Sequence, residues 1–122
     1  MAKVLIVDDS MTETKRFTQL LKKGGHDVIT ANCGEDGVRI AKEQMPDLVL
    51  MDVVMPGLNG FQATRQLSKN ESTKHIPIVM VTTKDQETDK VWGRRQGATD
   101  YLTKPVDEAV LLDTINRAMS GN

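Results

Sequence analysis

The sequence has few cysteines, few aromatic residues, no long hydrophobic run and almost no net charge. Its single cysteine, Cys33, cannot form an internal disulfide and has no companion at metal-ligand spacing, so we interpret it as a small buried or half-buried side chain. A net charge of −1 gives no electrostatic basis for binding nucleic acid or an anionic membrane. The apolar runs are strand-sized and residues 1–3 show no signal-peptide pattern, so we expect no membrane insertion and a cytoplasmic location.

Short apolar runs alternate with helical patterns along the whole chain. The length of 122 residues allows one domain with a full hydrophobic core, so we expect a single domain over residues 1–122 with no output domain. The predicted strands cover residues 3–7, 27–31, 47–51, 76–81 and 99–102. The predicted helices begin at Ser10, cover residues 35–44, 60–69 and 86–96, and begin again after the capping residue Asp107.

This alternation predicts an α/β fold with three layers. Parallel neighbouring strands need right-handed helical crossovers, which place helices on both faces of a doubly wound, five-stranded parallel sheet. The second strand is the most polar of the five and should therefore lie near an edge of the sheet.

The predicted helices differ in how much apolar surface they offer to the core. Ser10, followed three residues later by Glu13, predicts a capping box at the start of the first helix. The fourth helix has little apolar content beyond the adjacent Val91 and Trp92, so we expect it to pack less firmly and to be a moving part. Trp92 either anchors this helix in the core or contacts a partner, and we favour the core. Inward stripes are predicted for the first and last helices: Phe17, Leu20 and Leu21, and Leu111, Ile115 and Ala118.

Polar side chains stand at the ends of four of the predicted strands. Asp8 and Asp9 follow the first strand, and Asp52 follows the third. Thr82 and Lys104 come at the ends of the fourth and fifth. Because ligands of open parallel sheets bind beyond the carboxyl ends of the strands, we expect these side chains to meet in one crevice.

Three clustered carboxylates and one lysine suit phosphoryl chemistry. Like charges in a crevice remain ionised together only if a cation neutralises them, and Mg²⁺ prefers such oxygen ligands. An aspartate can also act as a nucleophile toward phosphorus and form an aspartyl-phosphate. Lys104 and the hydroxyl of Thr82 would then contact phosphoryl oxygens.

Each of these residues also has an ordinary structural interpretation when taken alone. An aspartate pair at a strand end often only caps a helix, and Thr82 could simply end its strand. Most lysines are solvated surface charges, which could hold for Lys104. We favour the functional interpretation, because five residues suited to one reaction lie together at the ends of four strands.

Taken together, the motifs resemble those of the receiver domain of bacterial two-component response regulators, over the whole chain. The resemblance rests on Asp8-Asp9, Asp52, Thr82, Met55-Pro56-Gly57 and Lys104-Pro105. It implies the flavodoxin-like or CheY-like sheet order 2-1-3-4-5. It also implies a protein that catalyses its own phosphotransfer and autodephosphorylation without being a conventional enzyme.

The same resemblance implies roles for individual residues. Asp52 would be the phosphoacceptor, and Asp9 and Asp52 would ligate Mg²⁺ directly. Asp8 would act mostly through water, and the backbone carbonyl of Val54 would complete the ligation. The peptide between Lys104 and Pro105 would be cis.

The family's switch is carried over in the same way. Thr82 would turn toward the phosphoryl group, and Tyr101 would move inward and reshape the face formed by the fourth helix, fifth strand and fifth helix. From the residues alone, Tyr101 could equally be a partly exposed edge aromatic.

A narrower resemblance concerns the segments GLNGFQATRQL, TTKDQETDKVWG and RRQGATDYLTKPVDE. They look like those of stand-alone receivers in the chemotaxis-like system that controls type IV pili and twitching motility. This implies a CheA-like histidine kinase as phosphodonor and a monomer that acts either as a messenger, on a pilus-motor or other downstream protein, or as a phosphate sink.

Two other classes are alternatives to a receiver. A haloacid-dehalogenase-like phosphatase also uses a nucleophilic aspartate on a parallel sheet, but it would need a second acidic residue where Val54 stands. A phosphorylation-independent interaction module would have no reason to keep a repulsive acidic cluster. Turnover of a small phosphoester would favour the phosphatase, and failure to take phosphate would favour the interaction module.

Overall fold

The computed structural model describes residues 2–121 as ten alternating strands and helices. The strands are β1 Lys3–Val7, β2 Asp27–Ala31, β3 Leu48–Met51, β4 Ile78–Thr82 and β5 Asp100–Thr103. The helices are α1 Met11–Lys23, α2 Gly34–Gln44, α3 Gly60–Lys69, α4 Glu87–Gln96 and α5 Glu108–Met119. Within this part of the chain, none of the helices has the length and apolar character needed to span a membrane.

All five strands pair in parallel in one sheet with the order β2-β1-β3-β4-β5. This confirms the predicted fold class and strand order. The polar strand β2 lies at the edge, as its sequence indicates, and only one of its five residues is buried. The central strands β3 and β4 are buried along their whole length, which is typical of strands covered by helices on both faces.

The core divides into two main apolar clusters, separated by the sheet. One cluster joins alternate residues of β1 and β3 to the inward faces of α1 and α5. The other joins the remaining residues of these strands to α2 and α3. Both predicted helix stripes are confirmed, since Phe17, Leu21, Leu111 and Ile115 are at most 1% exposed and Leu20 packs against the first cluster.

The predicted ends of β4 are wrong by two residues at the start and one at the finish. The strand begins at Ile78, because Pro77 has no amide hydrogen with which to extend the ladder. The carbonyl of Pro77 still accepts a bond from the amide of Val49, at 3.0 Å. At the other end, Thr82 pairs with Thr103 of β5 and is the last residue of the strand.

Helix α4 contributes little apolar surface to the core, in line with its sequence. Its buried residues are Gly93 and Gln96. Trp92 and Val91 are each 50% exposed, so the interpretation of Trp92 as a core anchor is wrong. The helix meets the sheet through Gly93, and the neighbouring Trp92 is directed partly into solvent.

Cys33 caps the start of α2. Its Sγ accepts the amide of Asp36 at 3.4 Å, and the residue is partly buried. The ordinary structural interpretation of this cysteine is therefore confirmed.

Candidate functional site

The sheet register brings the predicted site residues to one edge. Val7 and Met51 are paired across β1 and β3, so the residues that follow them are neighbours, and the amide of Asp52 donates to the carbonyl of Val7 at 2.9 Å. On the other side of the site, the amide of Lys104 donates to the carbonyl of Thr82 at 2.8 Å. Backbone pairing alone thus aligns the ends of four strands.

Three carboxylates meet at this edge. Ligand oxygens of Asp8, Asp9 and Asp52 all lie within 4.8 Å of one another. Asp8 is 3% exposed and Asp52 is 7% exposed, whereas Asp9 is exposed to solvent. A cluster of hard oxygen donors open to solvent on one side fits a magnesium ion that keeps several of its waters.

Lys104 is the cation that faces these carboxylates. Its Nζ lies 2.8 Å from Oδ2 of Asp8 and 3.6 Å from Oδ2 of Asp52, and its side chain is only 10% exposed. Burial opposes the charge of this lysine, but the hydrogen bond to Asp8 and the charges of Asp52, Asp8 and Glu13 outweigh it and raise its pKa. Lys104 is therefore held as an ammonium inside the site.

The two oxygens of Asp52 have different surroundings. Oδ1 accepts the amides of Val53 at 2.8 Å and Val54 at 3.4 Å, whereas Oδ2 faces Lys104. Burial, together with the negative charge of Asp8, raises the pKa of Asp52. Lys104, the Thr82 hydroxyl and the Val53 amide act in the opposite direction without cancelling that rise. A carboxylate that is costly to keep charged gains most from a bound cation.

The first residue of α3 packs closely against the backbone of Asp52. Gly60, the first residue of α3, lies so near that a Cβ at this position would come within 2.0 Å of the Asp52 carbonyl oxygen. Its amide donates to the carbonyl of Val53 at 3.0 Å. The start of α3 therefore holds the backbone of Asp52 and Val53 in place at the end of β3. The peptide between Lys104 and Pro105 is cis, as the resemblance implies.

Tyr101 lies inside the protein, which the sequence alone left open. It is 7% exposed and packs in a third, smaller cluster with Val53, Met80 and Ala98. Its hydroxyl donates to the carbonyl of Lys84 at 2.7 Å. Burial, aided by the charges of Asp89, Asp52 and Asp85, raises the pKa of Tyr101 to about 12.

Glu13 does not complete the capping box that the sequence predicts at the start of α1. Ser10 accepts the amide of Glu13 at 3.3 Å, but the amide of Ser10 donates to Oδ1 of Asp8 at 2.8 Å and not to Glu13. The predicted capping box is therefore only half formed. An aspartate two residues before Ser10 was the available signal, because such aspartates commonly bond the amide two positions on.

The chain belongs to the response regulator receiver domain family, whose sequence pattern it matches over residues 4–116. Proteins of this class take a phosphoryl group from histidine kinases onto an aspartate, with Mg²⁺ in the acidic pocket.

Individual relatives agree with this assignment. The chain is 64% identical over 121 residues to the protein PilH of Pseudomonas aeruginosa, covering 99% of this chain and 100% of PilH. Its fold matches that of the Vibrio cholerae chemotaxis protein CheY4 with a TM-score of 0.91 at 35% identity, over 97% of this chain and 98% of CheY4. The receiver domain of the P. aeruginosa sensor histidine kinase PA1611, which holds a magnesium ion in its active-site cleft, matches with a TM-score of 0.90 at 29% identity, over 98% of both chains.

Proposed function

We propose that this protein is a phosphorylation-controlled switch that accepts a phosphoryl group on Asp52 from a CheA-like histidine kinase. The observation that carries the proposal is the placement of Asp52. Its carboxylate lies within 4.8 Å of two other aspartates and 3.6 Å from the Lys104 ammonium, at the carboxyl edge of a parallel sheet. Neither a structural cap nor a solvated lysine needs this arrangement.

The phosphoacceptor oxygen in this proposal is Oδ2 of Asp52. Among the described residues, Oδ1 takes the two amide donors, which leaves Oδ2 directed toward Lys104. Oδ2 attacks the phosphorus of the kinase phosphohistidine; the new P–O bond forms as the P–N bond breaks, and the histidine nitrogen leaves with its electron pair. Lys104 and the Thr82 hydroxyl stabilise negative charge on the phosphoryl oxygens.

Asp9 and Asp52 would hold Mg²⁺ directly, with Asp8 acting through water and the carbonyl of Val54 completing the protein ligands. When bound, the ion neutralises charge shared between the carboxylates and the phosphoryl group. The all-oxygen donor set and the mutual approach of the three aspartates support this choice.

The output of the switch is assigned to the face formed by α4, β5 and α5. Thr82 is fully buried at the end of β4, and Tyr101 is buried on the neighbouring strand β5. Three of the exposed large hydrophobic residues of the described chain lie on the two helices of this face: Val91, Trp92 and Val110. We assign Trp92 to contact with a partner, which its exposure supports.

The cellular role is proposed to be control of type IV pilus twitching motility. The motif resemblance described above and the 64% identity to PilH support this role. Messenger and phosphate sink make different predictions, because a sink should accept phosphate quickly and release it quickly. Comparing the rate of phosphoryl loss with and without the kinase separates them. Membership of the receiver family argues against the phosphatase alternative.

The test is intact mass after incubation with acetyl phosphate and Mg²⁺. We expect one added phosphoryl group on the wild type and none on Asp52→Asn or in the absence of Mg²⁺. Asp113→Asn is the matched control, because Asp113 is exposed on α5 and, among residues 2–121, forms an ion pair with Arg117 alone; it should label like the wild type. Labelling of Asp52→Asn at the wild-type level would refute the assignment. If no adduct is seen on the wild type, beryllofluoride binding distinguishes rapid hydrolysis from a silent site.

A further inference from the structure

The guanidinium of Arg16, on α1, is directed at a backbone carbonyl. Its Nη2 atom donates to the carbonyl oxygen of Val106 at 2.6 Å, across 90 positions of the sequence. None of the ion pairs between residues 2–121 involves Arg16. Hydrogen bonds from a charged donor are shorter and stronger than those between neutral groups. This one fixes α1 to the segment that joins β5 to α5.

The contact between Arg16 and Val106 is part of the packed core. The Cζ atom of Arg16 lies 5.5 Å from the centroid of the Phe17 ring, within the range of a cation–π interaction. Phe17 is 1% exposed and belongs to the same apolar cluster as Val106, which is 5% exposed. The ring beneath the donor and the residue that carries the acceptor are therefore both immobilised by packing, and the hydrogen bond has a defined geometry.

Val106 lies two residues after Lys104, whose ammonium faces the carboxylates of the acidic site. On the β4 side, the amide of Lys104 donates to the carbonyl of Thr82 at 2.8 Å. Within the described part of the chain, the backbone of residues 105 and 106 makes one hydrogen bond, the one from Arg16. The segment that carries Lys104 is thus tied to β4 at one end and to α1 at the other.

We propose that Arg16 is a positioning residue, which acts through the carbonyl of Val106 to hold Lys104 in place for phosphotransfer. This inference rests on the proposed function. The ammonium of Lys104 stabilises charge on the phosphoryl oxygens in the transition state, and such stabilisation depends on a group that is already in position. A small displacement of that group lowers the rate even when the fold is intact. Arg16 touches neither the carboxylates nor the metal, so Mg²⁺ affinity does not depend on it.

The test compares the rate at which acetyl phosphate labels each variant at saturating Mg²⁺, followed by intact mass. Arg16→Met keeps an apolar stem over Phe17 and removes the donor. We expect its labelling rate to fall by about threefold to tenfold. The Mg²⁺ concentration for half-maximal labelling should stay within about twofold of the wild-type value, because the ligands are untouched. Arg16→Lys retains a charged donor and should recover part of the lost rate.

Arg39→Met is the matched control. Among residues 2–121, Arg39 forms ion pairs only with Asp36 and Glu43 of its own helix, and its side chain is 56% exposed. Its labelling rate should equal that of the wild type. A wild-type rate in Arg16→Met, even with a lower melting temperature, would overturn the proposal and leave Arg16 a structural role alone.

The decisive comparison repeats Arg16→Met in a Lys104→Gln background. If Arg16 acts through Lys104, the substitution should change the labelling rate by less than about twofold there. An equal loss in both backgrounds would overturn the proposal.

Amide hydrogen exchange tests the positioning without phosphorylation. Loss of the Arg16 bond should speed exchange of the Lys104 amide by at least about threefold, because its segment opens more often. Exchange at the wild-type rate would overturn the proposal. Absence of labelling in the wild type itself would refute the proposed function, and the role of Arg16 in phosphotransfer would fall with it.

Discussion

At the scale of single residues, the carboxylate of Asp52 is buried and lies near the negative charge of Asp8. Its pKa is raised above the ordinary 3.8, so the folded protein binds this proton more tightly than the unfolded chain does. The contribution of Asp52 to stability is fully present below 3.8 and is lost as the pH rises through the raised folded pKa. At neutral pH without metal, the charged carboxylate therefore destabilises the fold.

We accordingly predict that Asp52→Asn is more stable than the wild type at pH 7 in the presence of a chelator. The gain in melting temperature should be a few degrees and should shrink as the pH falls toward 4. Thermal unfolding of both proteins between pH 4 and 8 checks this, with Asp113→Asn as the surface control. A gain that is constant over this pH range would show that ionisation of Asp52 is not its source.

Ser10 and Glu13 show why residue-level prediction from sequence was only partly successful. The pattern of a capping residue and a glutamate three positions on is local, and half of it formed. The other half was lost to Asp8, whose orientation is set by Lys104, 96 positions away in the chain. A local motif does not reveal a competitor that is oriented by a distant partner.

At the scale of elements, α4 approaches the sheet through a glycine. A Cβ on Gly93 would lie 2.8 Å from Sδ of Met80 and 3.1 Å from the ring of Tyr101. Met80 is completely buried and cannot easily yield. The helix therefore sits close to β4 and β5 only because this side chain is absent.

We predict that Gly93→Ala destabilises the protein by about 1 kcal/mol, the strain outweighing the better helix propensity of alanine. Trp92→Ala, at the neighbouring exposed position, should cost less than about 0.5 kcal/mol. Denaturant unfolding of the two variants provides the comparison. Equal stability losses would mean that the packing of α4 does not depend on Gly93.

Element boundaries were predictable to within one or two residues. Strand β1, strand β2 and helix α3 begin and end as their sequences predict. Strand β4 starts late because of Pro77, and β5 is displaced by one residue. Apolar periodicity defines the middle of an element, whereas its ends depend on which backbone groups find partners.

At the scale of the whole molecule, the acidic site couples folding to the binding of a metal ion. The clustered carboxylates exist only in the folded state, so Mg²⁺ should bind that state selectively and stabilise it. At ten times the dissociation constant, the gain in unfolding free energy is expected to be about 1.4 kcal/mol.

A Mg²⁺ titration of the melting temperature measures this gain, with NaCl at matched ionic strength to correct for simple screening of the repulsion. Asp9→Asn should reduce the response, because it removes the exposed carboxylate of the cluster. The same melting temperature in Mg²⁺ and matched NaCl would count against a metal site here.

The alternation of strands and helices, the polar edge strand and the delivery of five side chains to one edge of the sheet were all predictable from the order of the residues. These follow from local periodicity and from the common direction of parallel strands. The burial of Tyr101, the exposure of Trp92 and the loss of the capping bond between Ser10 and Glu13 became visible only in the folded chain. In each case several groups compete for one partner. The amide of Ser10, the ammonium of Lys104 and the space beside Gly93 each have more than one possible neighbour, and the packing of distant segments selects among them.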